Sequence, residues 1–546
     1  MNKDRLKALS VSLFPYALYA VVVLVLFLIS KYTIHSDGVD IMDTGRHWAE
    51  GRFMVAVNSL WPPLLSVILG IFDRIISNEV IAFKVVAMLL GIPAMIFSDL
   101  LSRKWIENKW VRLIALSGLA FFFAEYCLRD TTNDFCAMVV TLWYAWLVTR
   151  EKFMFKKWSG LWLGIAWALL YFARTYLIYF AFAHIVFMVA YEWWLDKDRA
   201  VRKLLIRNAL ISLGVFIVVA SPWVIALHAK YHRWMIGISG PFNYYKYNYE
   251  AVGAPRQNAY TGDHLIPPSV PDDSSAYTDP DNQIPTAWSP FQSRQAFTWQ
   301  VLRVWKNLKV MFAGVKALRA ESILPTFSPL MAASILAYLI YLIAKRDWKG
   351  ERKGIILMGM TLIYPLGYLI IEVNDRYFLA LVVFAMLMGA YVLEKLLPNH
   401  KKVLVASVIL LALTYVPFTQ MKDLKEGYYF YSKMRDDGLY IKSHLPTEGK
   451  RAATMSGSES KDLRTFFYAG IPYYWYLNPD VSIKDVVNEL CSNKIDYIFT
   501  NNTNVESNPK LQARYAYLRA YFYGELQLPD PEHSLLYDSH LPCPKR

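Results

Sequence analysis

Apolar runs close to 20 residues long recur along this chain, the length a helix needs to cross roughly 30 Å of hydrocarbon. Eleven fall at about 11–31, 80–100, 111–127, 134–150, 158–173, 175–195, 208–228, 326–344, 354–372, 377–396 and 403–419. Of the 546 residues 55% are hydrophobic and only 19% charged, too few charges to cover the surface of a water-soluble protein of this length. The first run follows Lys3, Arg5 and Lys7 as in a signal peptide, yet it is too long for an h-region and has no small-residue cleavage site. It reads as an uncleaved span. The expected fold is an all-α polytopic membrane protein of about 11 transmembrane helices, with large outer loops and a small C-terminal α/β domain.

A net charge of +14 invites a nucleic-acid partner, but its placement argues against one. The basic clusters (Arg103 to Arg112, Arg150 to Lys157, Lys197 to Arg207, Lys345 to Lys353, Lys395 to Lys402) occupy short connectors after every second span. Cytoplasmic loops carry that excess of Lys and Arg, so the charge reports topology. Eleven crossings from an inside N-terminus put the C-terminus outside, on the periplasmic side of a bacterial inner membrane. The expected division is a transmembrane domain over 1–422 and an extracytoplasmic α/β domain over 423–546. Two long outer loops, 32–79 and 229–325, belong to the first. The stretch Trp61–Ile76 is apolar but short and holds Asp73 and Arg74, which suits an interfacial helix better than a span. Asp263 to Pro290 is rich in Pro, Asp and Ser; loops this long are binding elements, lids or disordered. In the tail, Ser482–Cys491 has helical spacing and Ile495–Thr500 reads as a strand. Cys491 and Cys543 are the expected disulfide, while Cys127 and Cys136 either pair across a tight turn or pack as small apolar side chains.

Asp37, Asp40 and Asp43 stand at the lip of the first span, where a charge costs roughly 2.5–3.5 kcal/mol at mid-bilayer and less at the interface. Acids kept at such a depth are functional candidates. The loop that carries them reads His35 to Gly51, with Ala49-Glu50-Gly51 at its end and Trp61-Pro-Pro-Leu-Leu65 ten residues on. That order resembles the GT-C superfamily of integral-membrane glycosyltransferases, in particular its polyprenyl-phosphate-mannose and aminoarabinose-transferase-like branch. Further matching pieces are Thr132-Asn-Asp134, Ala173-Arg-Thr175, Ser221-Pro-Trp223 and Glu372-Val-Asn-Asp-Arg-Tyr377. The resemblance covers most of residues 10–400 and implies a lipid-linked sugar donor and a catalytic acid in the first outer loop. Counted back from Ala49-Glu-Gly51, that acid is Asp37; Ile41 stands where the family more often has an aromatic residue.

Transfer from a polyprenyl-phosphate sugar needs no general acid, because the leaving group is already a stabilised anion. The attacking hydroxyl does need a base, which one carboxylate supplies. A single base opposite the leaving group predicts inversion, by analogy with inverting glycosidases. Asp37 is the expected base and Asp134 the second catalytic candidate; Asp40 and Asp43 are secondary acids. Asp37 also has a bland reading as a helix cap, and Asp134 as a carboxylate favoured by the helix dipole. The departing phosphate needs cations, for which Arg376, Arg174 and Lys84 are the candidates. Tyr245 and Trp288 are candidate sugar or acceptor contacts. A divalent cation, Mg or Mn, between Asp37 and Asp134 is compatible with the resemblance. Expected partners are the lipid-linked donor, membrane lipids, and a glycan, lipid or protein acceptor. A transporter or flippase is the main alternative, though such proteins place ionisable groups within their spans; a surface-polysaccharide polymerase or ligase is another.

Overall fold

In a computed structural model the described residues are 3–129, 131–248, 265–280, 289–313, 329–414, 418–455, 459–478, 481–541 and 543. A helix stands at each of the eleven expected spans, from Lys3–Ser30 to Lys401–Leu413. Seven of the helical stretches among the described residues are long and apolar enough to cross a membrane. Pro365 interrupts the ninth, which runs Arg352–Ile363 and resumes as Leu366–Ile371, because a proline ring cannot continue the ladder behind it. The chain is a multi-pass membrane protein.

Burial decides which helices can position a site. Helix Leu379–Leu396 is buried along nearly its whole length, packed against Lys109–Arg129, Asn133–Val148, Pro329–Lys345 and Lys401–Leu413. Asn133–Val148 is enclosed almost as completely. Polar residues at the ends of such helices inherit a fixed position from close packing on every side.

The short apolar stretch after the first loop forms helix Pro63–Asp73, with Pro63 in the first turn, where its missing N–H is no loss. It crosses the first-loop helix, Ser36–Ala49, at Gly70, where an added Cβ would lie 2.5 Å from the Cβ of Trp48. Only glycine lets the two backbones approach so closely.

The tail begins with helix Phe418–His444 and folds into a mixed five-stranded sheet. Its strands are β1 (Ala452–Thr454), β2 (Tyr473–Tyr476), β3 (Tyr497–Asn501), β4 (Phe522–Gln527) and β5 (His533–Ser539), in the order β2-β1-β3-β5-β4. The expected helix and strand are both present, as Ile483–Asn493, capped by the Ser482 hydroxyl, and as β3. Cys491 and Cys543 form a disulfide, whereas Cys127 and Cys136 are free and buried. One face of the sheet, with Tyr473, Trp475, Tyr497, Phe499 and Leu535, is continuous with the apolar core of the helical bundle. The other face builds a separate core around Val486, Leu490, Ile498 and Leu536. The tail therefore sits on the bundle through apolar packing.

Candidate active site

The first outer loop folds into helix Ser36–Ala49 because His35 caps it: the His35 imidazole accepts the backbone N–H of Asp37 at 3.1 Å. His35 thus fills the cap position that the sequence also allowed for Asp37. The Asp37 carboxylate instead meets Arg376, with Nη2 2.6 Å from Oδ2. Arg376 rides on the single turn Asp375–Phe378 that leads into the buried helix Leu379–Leu396, and the Asn374 side chain caps that turn. Its Nε lies 3.4 Å from Asp134 Oδ2. Asp134, in the first turn of Asn133–Val148, also accepts the Thr132 hydroxyl at 3.0 Å and pairs with Arg174. Arg174 ends helix Ser159–Ala173, and its guanidinium covers the Tyr377 ring at 4.1 Å. Four charges far apart in sequence thus form one alternating chain, Asp37–Arg376–Asp134–Arg174.

The close approach of Asp37 to Asp134 depends on Gly38. A Cβ there would stand 2.3 Å from the Thr131 hydroxyl and 2.5 Å from its carbonyl oxygen. The neighbouring backbone N–H of His35 donates to that same hydroxyl at 2.8 Å. Gly38→Ala should lever the first-loop helix off the 131–134 turn. A displacement of about 1 Å at a reacting group costs on the order of 10²-fold in rate. Any reaction carried by Asp37 and Asp134 should slow accordingly while the protein remains folded, as thermal unfolding of the purified variant would check.

All four residues line one cavity of about 470 Å³. Apolar and aromatic side chains from the span ends, among them Tyr176, Tyr368, Ile370 and Ile371, form part of its wall. The first loop adds Leu60 to Pro62, the long loop adds Gly237, Ser239 to Asn243 and Tyr277, and the tail adds Leu463 and Trp475. Residues 265–280 lie as a strap across the first-loop helix. Ser275 donates to Asp40 at 2.7 Å, Thr278 reaches both Asp40 and Asp43 at 3.1 Å, and Ser274 gives Asp43 its backbone N–H at 2.7 Å and its hydroxyl at 3.0 Å. His47 meets Asp273 at 2.6 Å, and Arg52 meets Asp272 at 2.6 Å. The strap then joins the sheet, where Tyr473 N–H donates to Ser274 O at 2.9 Å.

Among the other expected site residues, Asp40 lines the cavity but Asp43 does not, and the oxygens of both are held by the strap. Burial pushes the Asp40 carboxyl well above the usual range, against the pull of the Ser275 and Thr278 hydroxyls. Burial also raises Asp43, to about 6, with Arg46 opposing it. Lys84 is placed away from the cavity lining: fully buried, it donates to the Thr33 hydroxyl at 3.0 Å and to the Leu128 carbonyl. A lone ammonium at the head of a span is satisfied as readily by nearby backbone as by a ligand. Trp288 and the Tyr245 side chain lie outside the described residues. Tyr277, whose ring packs at a tilt against Trp475 with centroids 4.8 Å apart, had no distinguishing mark in the sequence among so many tyrosines. A cation shared by Asp37 and Asp134 does not fit this arrangement, because Arg376 already bridges the two carboxylates and a dication would face two guanidiniums. Among the described residues, the clusters with metal-ligand geometry are His47/Glu50/Asp272 and Asp437/Asp530/His533, which include neither acid.

No protein-family model and no curated protein matches the chain. Solved structures do. The crystal structure of the Archaeoglobus fulgidus oligosaccharyltransferase in the apo form aligns over 92% of this chain and 71% of its own, with a TM-score of 0.51 and 11% identity. ArnT from Cupriavidus metallidurans bound to undecaprenyl phosphate aligns over 97% of this chain and 99% of its own, again with a TM-score of 0.51 and 11% identity. The chain has the GT-C fold. The ArnT alignment runs from the bundle through the tail, so the GT-C likeness takes in the α/β unit as well as the membrane helices.

Proposed function

We propose that this protein moves a sugar from a polyprenyl-phosphate donor to a hydroxyl of a glycan, lipid or protein acceptor, at the outer face of a bacterial inner membrane. The observation that carries the reading is the interleaving of two carboxylates with two arginines in one partly apolar cavity at the span ends. The bound undecaprenyl phosphate of the ArnT structure supports the class of carrier.

In this reading the donor phosphate takes Arg376 and Arg174 as its counter-ions, and an anion for an anion keeps the local charge balanced. A carboxylate that gives up its guanidinium becomes a better proton acceptor. Asp37 then takes the proton of the acceptor hydroxyl as its oxygen attacks the anomeric carbon from the face opposite the phosphate. The new glycosidic C–O bond forms, the old one breaks, and its electron pair leaves on the phosphate oxygen. The anomeric centre inverts. Arginines preorganised around the departing phosphate supply electrostatic stabilisation, commonly the largest catalytic contribution.

The two guanidiniums stand where a divalent cation would otherwise be needed, so transfer should proceed undiminished in EDTA. A loss of product restored by Mg or Mn would overturn that assignment. The function itself is tested by mass spectrometry of sugar-modified lipids, glycans and proteins in cells lacking this chain. One sugar modification should disappear and return with the wild-type chain; an unchanged profile would sink the proposal.

A further inference from the structure

Strand β2 carries a local irregularity beside the cavity. Its pairing with β1 advances from Ala452↔Tyr473 to Thr454↔Tyr476, three residues against two, so β2 bulges there. Inside that bulge Trp475 has φ +87°, a conformation that a bulky L-residue rarely adopts. Bulges re-aim side chains and recur next to active sites, and strain of this kind persists only where surrounding structure enforces it. Trp475 is 4% exposed, lines the cavity, and packs against Tyr277 of the strap with ring centroids 4.8 Å apart and planes tilted by 47°. Its indole N–H is buried and, among the described residues, has no hydrogen-bond partner. Buried donors are nearly always paired, so an unpaired one requires an explanation. Trp48, Trp105 and Trp167 also hold buried indole N–H groups without a partner among the described residues, but none of the three lines the cavity. The cavity holds the complementary group too: the Asn133 side-chain oxygen, next to Asp134, is buried and has no partner among the described residues.

We infer that Trp475 is a sugar-contacting residue supplied by the C-terminal domain: its indole N–H donates to an oxygen of the donor sugar while its ring and that of Tyr277 cover the sugar's C–H face. A pyranose matches this lining, because its hydroxyls both give and accept protons and its ring faces are apolar. The inference rests on the proposed polyprenyl-phosphate reading, which also fixes the direction. The isoprenoid tail lies among the membrane helices and the phosphate on the arginines at their ends, so the attached sugar extends outward, towards the strap and the sheet. Asn133 meets the same sugar from the phosphate side.

The test uses the full chain in lipid nanodiscs and two kinds of probe: undecaprenyl phosphate alone, and undecaprenyl phosphate carrying glucose, mannose, galactose or arabinose. At least one sugar-bearing probe should bind the wild type more tightly than the bare carrier does. Trp475→Phe keeps an aromatic ring and removes the N–H. It should bind the bare carrier as the wild type does, unfold at the same temperature, and lose about fivefold in affinity for the sugar-bearing probe, the factor of one neutral hydrogen bond. If no attached sugar improves binding to the wild type, or if Trp475→Phe retains the whole improvement, the inference is wrong. If the bare carrier itself fails to bind the wild type, the functional reading falls instead.

Discussion

Replacing Asp37 with Asn should stop transfer while leaving the protein folded and able to hold its carrier. The amide keeps the size of the side chain and cannot take a proton, so the expected fall is about 10²–10⁴-fold, the worth of a positioned general base. The charge attraction behind Arg376's 2.6 Å contact is lost at the same time, so Arg376 is held less tightly against the pull of a phosphate while still facing Asp134. Affinity for undecaprenyl phosphate should therefore be unchanged or higher, and that combination separates loss of a base from damage to the site. The measurement pairs quantitation of the sugar-modified product in complemented cells with carrier binding by purified protein. Near-normal product from the Asn variant would remove Asp37 from the chemistry.

Arg376→Ala should act on the other term. Its guanidinium bridges Asp37 and Asp134, and in the proposed reaction it passes to the phosphate. A hydrogen bond to a charged group contributes about 1.5–3 kcal/mol, so carrier affinity should weaken by roughly 10- to 100-fold. Asp37 would also lose its cation and the buried Asp134 one of its two, with Arg174 remaining, so the cost should stay below the roughly 3–5 kcal/mol of a buried charge left wholly unpaired. A lower unfolding temperature should accompany the weaker binding. Arg376→Lys restores the charge without the planar fork and should fall between the two. Unchanged affinity in the Ala variant would end the phosphate assignment.

The four charges of the site were legible because each interrupts an apolar chain at the edge of a span, where solvation gives no cheap reason for it. Lys84 has the same mark and a different fate, since a carbonyl at the end of the neighbouring helix Lys109–Arg129 can satisfy an amine as well as a phosphate can. Asp40 and Asp43 were visible as candidates, but their partners were not: Ser274, Ser275 and Thr278 lie more than 200 residues away in a loop without periodicity. Gly38 could be seen only as one glycine among 25, because what it makes room for is the hydroxyl and carbonyl of Thr131, far away in sequence. Trp475 is a harder case still. The aromatic run Tyr473-Tyr-Trp-Tyr476 suits a strand, but the bulge in its pairing arises only where it meets β1.

Because hydroxyls of the strap hold Asp40 and Asp43, and the strap is itself hydrogen-bonded to β2, the two halves of this molecule are not separable parts. A truncated protein ending before the sheet would keep the strap but lose the β2 hydrogen bond that anchors it, and would open one wall of the chamber to solvent. Neither fragment is expected to work when produced alone, and mixing the two afterwards would have to rebuild that wall before any turnover returned.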